Sequence, residues 1–308
     1  MRSSIALSTF LVMGLASAAA AEPPPSTDAP ASKPAVQIEG LSAPESVLYD
    51  DRADLYLVSN INGSPFARDK NGFIAQVAPS GEIRTLKWID GAKTELDAPK
   101  GMAFLGDTLY VADLDTIRTF DRKTGEARKQ IPVAGALFLN DIAASADRLF
   151  VSDTAVKEGW RPAGTAAIYE VRADGTVKPV IRSNDLAGPN GLATRGGELW
   201  AVTFGGNELF RVNPTGKQPG TKLPRGQLDG LVILPDGTFL ISSWQASGVF
   251  AGRPGQSFTQ VLSGIASPAD LGFDSKRSRL LVPQLQKDRV QVFDWSAGHS
   301  RQGRARRR

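Results

Sequence analysis

Six short motifs recur along the chain, and each places one variable residue between a Pro or Leu and a small or acidic residue. The motifs are PESV at 44–47, PKGM at 99–102, LNDI at 139–142, PNGL at 189–192, LDGL at 228–231 and PADL at 268–271. The variable residues, in order, are Glu45, Lys100, Asn140, Asn190, Asp229 and Ala269. Two carboxylates and two amides in equivalent positions of a repeat form one site if the repeat brings those positions together.

The oxygen atoms of such a site are ligands that hard divalent cations prefer. Ca²⁺ accepts carboxylate, amide and water oxygens in flexible geometry, and Mg²⁺ or Mn²⁺ bind similar sets with more water. We therefore expect one divalent cation, Ca²⁺ first, near Glu45, Asn140, Asn190 and Asp229. Lys100 leaves an alternative open, because its ammonium could pair with Glu45 and Asp229 and replace the cation as a structural plug. It could also point away, or bind a substrate carboxylate or a developing oxyanion.

The elements that must position these residues are β-strands. Each motif is followed by a β-rich run such as LYLVSN at 55–60 or LYVAD at 109–113, then by an alternating third run and, in most units, a fourth. Successive variable positions are 39–55 residues apart. This period predicts an all-β fold, a six-bladed β-propeller of four-stranded antiparallel blades.

The inner strands of a propeller begin around one channel, so equivalent positions on them form a ring. The last unit has only three strands before Trp295, and the segment AVQIE at 35–39 alternates without a partner. We predict that this N-terminal segment supplies the missing outer strand and closes the ring, which removes an open sheet edge.

The two ends of the chain differ from the body. Residues 1–21 have an apolar stretch and a small-residue cleavage site that are typical of a secretory signal, which predicts export, in a bacterium to the periplasm. Residues 22–34 are rich in Pro and Ser and are expected to form a disordered tether. The predicted propeller covers 35–295, and 296–308 form a disordered tail with five Arg. This tail could contact anionic surfaces, with a solvated end as the alternative.

Composition excludes several function classes. The net charge of +4 resides in the tail, so the folded body is slightly acidic and we expect no nucleic-acid binding through it. There is no Cys, which excludes thiolate chemistry. The only His is His299 in the tail, so the body has no Ser–His–Asp triad and no His-based zinc site. Outside residues 1–21, no stretch of the sequence approaches the roughly 20 apolar residues of a membrane-spanning helix.

The motifs PESV, LND, PNG and LDG, in this order and one per blade, resemble the senescence marker protein/gluconolactonase/luciferin-regenerating enzyme family. The resemblance spans about 41–295. It implies a six-bladed propeller that holds a divalent metal at the channel mouth and hydrolyses lactones. It further implies that Glu45, Asn190 and Asp229 are metal ligands, that Asn140 contacts the metal or the substrate, and that Asp229 is the general base.

The chain also departs from that family. Its sugar-lactonase members carry an Arg two residues before the first Asn, whereas this chain has Phe138. Phe138 therefore favours a substrate less polar than a sugar lactone. Two long connections, 64–72 with Phe66 and 157–165 with Trp160, are expected to lie on the face of the ring, with Asn60 close by. They could form a substrate wall or be ordinary loops. Trp200, Phe204 and Trp244 are expected to pack between blades.

These observations favour a metal-dependent hydrolase of a lactone or related ester. The predicted catalytic residues are Asp229, Asn140 and Lys100, and the predicted substrate contacts are Phe138, Asn60 and Trp160. The alternative is a non-enzymatic exported propeller, which acts as a binding module and contains a structural metal or the Lys–carboxylate plug.

Overall fold

The computed structural model describes residues 32–213 and 215–295, and in these ranges it contains six antiparallel sheets arranged in a ring. The strands of the first three sheets are β2 to β15, and β1 precedes them. In chain order they are β1 Val36–Ile38, β2 Pro44–Asp50, β3 Leu55–Asn60, β4 Phe73–Val77, β5 Ile83–Asp90, β6 Pro99–Leu105, β7 Thr108–Asp113, β8 Thr116–Asp121, β9 Ala127–Pro132, β10 Leu139–Ala144, β11 Arg148–Asp153, β12 Val156–Lys157, β13 Arg161–Pro162, β14 Ala167–Arg172 and β15 Val177–Arg182.

The remaining strands form the other three sheets. They are β16 Pro189–Arg195, β17 Glu198–Thr203, β18 Glu208–Asn213, β19 Gly216–Lys217, β20 Thr221–Lys222, β21 Leu228–Ile233, β22 Phe239–Ser243, β23 Gly248–Gly252, β24 Thr259–Leu262, β25 Gly272–Asp274, β26 Arg279–Gln284 and β27 Arg289–Asp294. One helical turn, α1 (Gly91–Thr94), follows β5, and two 3₁₀ turns lie at Asn184–Leu186 and Leu285–Lys287.

The sheets are the six predicted blades. Blades one, two and five contain four consecutive strands each, β2–β5, β6–β9 and β21–β24. Blade three is β10, β11, β14 and β15, and the hairpin β12–β13 is inserted between its second and third strands. In blade four the outer edge of β18 pairs with two short pieces, β19 and β20. Blade six is β25–β27 with β1 outermost, and Val36 lies opposite Val292. The predicted six-bladed fold is confirmed.

Six hydrophobic clusters among the described residues each lie between two neighbouring blades, and a smaller seventh contains Ile61, Ala98 and Leu114. Leu57 and Ile74 of blade one pack with Leu109 and Phe120 of blade two, for example. Val47 of blade one packs with Val292 of blade six in the cluster that joins the last blade to the first. Each blade thus buries both faces of its sheet, because alternating side chains of a strand point to opposite faces. This packing explains why the strands of each repeat contain runs of apolar residues.

The predicted signal segment 1–21, most of the predicted tether and the tail 296–308 lie outside the described residues. Within the described part of the chain, no helix has the length and apolar character needed to cross a bilayer.

Candidate functional site

The five polar motif residues lie around one small cavity at the mouth of the central channel. The cavity has a volume of about 30 Å³, and the polar residues that line it are Glu45, Lys100, Asn140, Asn190 and Asp229. All five are buried, with 5% or less of their surface exposed. The sixth position, Ala269, is buried in the interior and adds no polar group.

A bulge at the start of each inner strand aims these side chains. The pairing of first and second strands in blades one to five is irregular at the motif, as between Pro189 and Leu192 or between Leu228 and Leu231. A bulge leaves one residue unpaired and turns its side chain away from the regular alternation. The variable residue and, in blades four and five, the glycine after it have no partner in the register, so the side chains of Asn190 and Asp229 are free to face the channel.

The glycine after the variable residue is needed for close approach between blades. A Cβ atom on Gly191 would lie 2.2 Å from the backbone oxygen of Asp229, and one on Gly230 would lie 2.2 Å from the backbone nitrogen of Leu271. Real Cβ atoms essentially never approach so closely. PNG and LDG therefore combine a polar side chain for the channel with a glycine that lets the next inner strand pack against it.

Three buried oxygens at this cavity have no hydrogen-bond partner among the described residues. They are Glu45 Oε2, Asn190 Oδ1 and Asp229 Oδ1, and each comes from a different blade. A buried polar atom without a partner costs about 1–3 kcal/mol. An amide oxygen and an ionised carboxylate oxygen can only accept, so a cation, a hydrogen-bond donor or a proton taken up by a carboxyl group would satisfy these atoms.

The pKa values of the Glu45 and Asp229 carboxyl groups also indicate that the described residues do not fully compensate two negative charges at this cavity. Burial, followed by the nearby Asp229 carboxylate, raises the pKa of Glu45 well above its ordinary value. Burial raises the pKa of Asp229 to about 7, and the carboxylate of Asp141 adds to this effect. Two carboxylates in this position resist ionising together unless a positive charge lies between them.

Two neighbouring side chains fix the orientation of the ring residues. Trp244 Nε1 donates a hydrogen bond of 2.8 Å to Asp229 Oδ2, which leaves Oδ1 to face the cavity. Asn140 Nδ2 donates to Thr154 Oγ1 at 3.0 Å, and Thr154 Oγ1 donates to the backbone oxygen of Pro189 at 2.9 Å. These contacts hold the side chains in place before any ligand arrives.

Lys100 is buried at the same cavity, but its contacts are not with the two carboxylates. Its Nζ donates to the backbone oxygen of Ala98 at 2.9 Å and lies 4.3 Å from the centre of the Phe138 ring. None of the ion pairs within 4.0 Å that join described residues links Lys100 to Glu45 or Asp229. Burial lowers the pKa of Lys100 to about 8, and the carboxylates of Asp113 and Glu45 limit that decrease.

An arc of aromatic side chains covers the polar ring. Successive ring centres are 5.0–5.8 Å apart along Phe66, Phe138, Trp160, Phe204 and Trp244. Trp160 lies at the tip of the hairpin β12–β13 and remains 45% exposed. The two long connections, with Phe66 and Trp160, therefore meet over Phe138 on the face of the ring.

Several sequence expectations for single side chains need correction or qualification. Phe204 of blade four and Trp244 of blade five contact each other between their blades, as expected, with ring centres 5.8 Å apart, and both also line the ring cavity. Trp200 also packs between blades four and five, with its ring centre 5.1 Å from that of Phe239. Asn60 is fully buried and bonds to backbone atoms of Ser42 and Val58, and it does not line the cavity.

The sequence reasoning missed a second buried acidic pair farther along the channel. Asp141 and Asp270 line a separate cavity of about 210 Å³ with Ser46, whose hydroxyl donates to Asp270 Oδ2 at 2.5 Å. Asp141 accepts hydrogen bonds from the backbone nitrogens of Ile142 and Leu192, both at 2.6 Å. The signal was present in LND and PAD, where an Asp follows the variable residue in place of the glycine.

The donor set fits a hard divalent cation, although it is not a cluster of acidic or imidazole groups. Within residues 32–213 and 215–295, no three His, Cys, Asp or Glu side chains come together as a metal-binding group. The ring instead offers two carboxylates and two amides. Such an oxygen set is compatible with Ca²⁺, which accepts neutral and charged oxygens together.

Comparison with solved structures agrees with the fold. The chain is similar to a gluconolactonase from Xanthomonas campestris, with 16% identity, a TM-score of 0.64, and 83% of this chain and 86% of that one covered. A candidate gluconolactonase is 18% identical with a TM-score of 0.62, over 84% of this chain and 93% of the other. A streptogramin B lyase is 14% identical with a TM-score of 0.60, over 83% and 96%. Neither a family model nor a curated protein matches the chain. The structural neighbours therefore include gluconolactonase-like proteins, and at these identities the likeness shows the fold.

Proposed function

We propose that this protein is a metal-dependent hydrolase of a lactone or related ester, with one divalent cation at the mouth of the propeller channel. The cation would be held by Glu45, Asn190 and Asp229, and Asn140 would lie beside it or beside the substrate. The observation that carries the proposal is the set of three buried oxygens, from three blades at one cavity, that have no hydrogen-bond partner among the described residues. Ca²⁺ suits this set best, and Mg²⁺ or Mn²⁺ are the alternatives.

When bound, such a cation polarises a carbonyl oxygen and makes nearby water more acidic. The rest of the chemistry falls to the chain. The Asp229 carboxylate accepts a proton from the water whose oxygen attacks the acyl carbon. The bond from that carbon to the ring or leaving oxygen then breaks, and this oxygen takes the proton from Asp229. Trp244 keeps one oxygen of Asp229 fixed during these transfers.

Lys100 is suited to the developing negative charge. With a pKa of about 8 its amine is mostly protonated at neutral pH, and its Nζ makes one hydrogen bond, to Ala98. The remaining N–H groups can donate to a carbonyl oxygen whose charge grows in the transition state. Preorganised donors in a dry site contribute strongly to such stabilisation.

The aromatic arc sets the polarity of the substrate. Phe138, where the resembled sugar lactonases carry Arg, is buried against Lys100 and contacts Phe66 and Trp160. A sugar would find few hydrogen-bond partners against these rings, and polar groups left without partners weaken binding. We therefore place the substrate among lactones or esters less polar than sugar lactones.

One observation favours a second candidate function, a binding module with a structural cation. The ring cavity of about 30 Å³ is small, so a cation could fill it as a structural part of the fold. In that case the cation would raise the unfolding temperature while no lactone or ester is turned over.

A panel of lactones and esters separates the two candidates. Hydrolysis is measured with Ca²⁺ and after chelation, for the wild type and for Asp229→Asn. The matched control is Asp185→Asn, which changes an exposed carboxylate away from the ring. The hydrolase predicts turnover that the chelator abolishes, that Asp229→Asn loses and that the control keeps. Wild-type rates in the folded Asp229→Asn variant would contradict the proposal.

A further inference from the structure

A second cavity lies beside the polar ring, between blades three and four. Its volume is about 350 Å³, and Trp160 and Phe204 border both it and the ring cavity. None of its lining residues, all of which belong to the described part of the chain, is charged. Much of its wall is made of small apolar side chains, including Ala155, Val156, Pro162 and Ala166.

The two cavities differ in what they can hold. A water molecule occupies roughly 10–15 Å³ on this measure, so the ring cavity of about 30 Å³ has room for the proposed cation and a reacting group and little more. Pockets that bind small molecules typically measure about 300–1,000 Å³, and the second cavity falls in this range. A substrate that reacts at the ring must therefore place its bulk elsewhere, and this cavity is adjacent.

The lining favours an apolar occupant over a polyol. Thr154 and Asn184 are the polar side chains among the lining residues. The hydroxyl of Thr154 already accepts from Asn140 and donates to Pro189. A sugar chain would lose hydrogen bonds to water here without regaining them, whereas burying methylene groups is favourable.

We propose that this second cavity is the subsite for an alkyl substituent of the substrate, with the Trp160–Phe204 pair separating it from the reacting group at the ring. The two rings lie 5.6 Å apart at 31° and form the shared wall. This inference rests on the proposed hydrolase function and adds the substrate class, a lactone or ester that bears an alkyl chain.

The first experiment measures kcat/KM along a series of γ-lactones, from γ-butyrolactone to γ-dodecalactone. Each buried methylene is worth about 0.8 kcal/mol, so kcat/KM should rise about fourfold per methylene until the cavity is full. Val156→Trp fills the cavity from the hairpin β12–β13 and should reduce the ratio of long-chain to short-chain kcat/KM at least tenfold. Lys157→Ala, a change at the exposed neighbour on the same strand, should keep the ratio.

A second measurement separates this inference from the hydrolase proposal. Hexan-1-ol, octan-1-ol and decan-1-ol cannot be hydrolysed, and their binding is followed by tryptophan fluorescence, with Trp160→Phe identifying the Trp160 signal. Affinity that rises about fourfold per methylene and falls in Val156→Trp supports the subsite even if no lactone is turned over. Turnover of γ-lactones without dependence on chain length, or alcohol binding that Val156→Trp leaves unchanged, would overturn it.

Discussion

Replacing Asp229 with asparagine should stabilise the protein in the absence of divalent cations, although the same change removes a proposed ligand and base. The reason is the raised pKa of this carboxyl group. In the folded state its pKa is about 7, whereas its ordinary value is about 3.9. The folded state therefore keeps a proton that the unfolded chain releases, and this contribution to stability is lost as the pH rises from about 4 to about 7.

The size of the effect follows from the two pKa values. A difference of about three pH units, at about 1.4 kcal/mol each, means that ionised Asp229 lowers the free energy of unfolding by up to about 4 kcal/mol at pH 8. An asparagine carries no charge and can still accept the Trp244 hydrogen bond. A change of 1 kcal/mol moves the unfolding midpoint of a domain of this size by about 2–4 °C.

The assay is thermal unfolding of the wild type and Asp229→Asn at pH 5 and pH 8, first in EDTA and then with Ca²⁺. In EDTA we expect the variant to unfold at least about 8 °C higher than the wild type at pH 8, where the difference is about 4 kcal/mol. At pH 5 only about 1.5 kcal/mol of that difference has developed, so the gap should shrink to about 3–6 °C. With Ca²⁺ at a hundred times its dissociation constant, the wild type should gain about 2.7 kcal/mol, and the variant clearly less. Asp185→Asn should match the wild type throughout. A variant that is less stable than the wild type at pH 8 in EDTA would refute the reasoning.

Three further predictions concern the surroundings of the ring. Trp244→Phe removes the hydrogen bond to Asp229 and should weaken Ca²⁺ binding about tenfold or more by calorimetry, because a hydrogen bond to a charged group is worth about 1.5–3 kcal/mol. Lys100→Met should tighten Ca²⁺ binding, since it removes a nearby positive charge, and should lower lactone turnover; loss of folding instead would favour the structural-plug alternative. Gly191→Ala places a methyl group 2.2 Å from the Asp229 backbone oxygen and should lower the free energy of unfolding by at least about 2 kcal/mol, whereas Gly164→Ala, which meets only the tip of Leu137, should cost less.

The fold and the ring of polar residues were predictable because both follow from a sequence motif that repeats six times. A polar residue in the same place of each motif, with strands at a steady period, indicates a propeller whose inner strands share one channel. Glu45, Lys100, Asn140, Asn190 and Asp229 do line one cavity. Their convergence required only that the blades be equivalent, which a single sequence can show.

What the sequence did not reveal depends on side-chain contacts between residues that are far apart in the sequence. Trp244 reads as one more apolar residue after a strand, and only the packing shows that its indole nitrogen points at Asp229. The carboxylate of Asp141 reaches the backbone of the next blade at Leu192, which no local pattern indicates. Asn60 was expected near the substrate because it ends a strand close to the ring, yet its side chain is hydrogen-bonded to the backbone of Ser42 and Val58.

In the motifs that contain a glycine, two neighbouring residues have separate roles. In PNG and LDG the glycine sets how closely two blades meet, while the residue before it faces the channel and takes no part in that contact. Ala269 shows that a blade keeps its place in the ring with no polar group at this position, because the backbone nitrogen of the next residue, Asp270, donates to the backbone oxygen of Glu45 in blade one. New chemistry can therefore evolve at the channel one residue at a time, because a change at a variable position leaves the glycine contacts between blades in place.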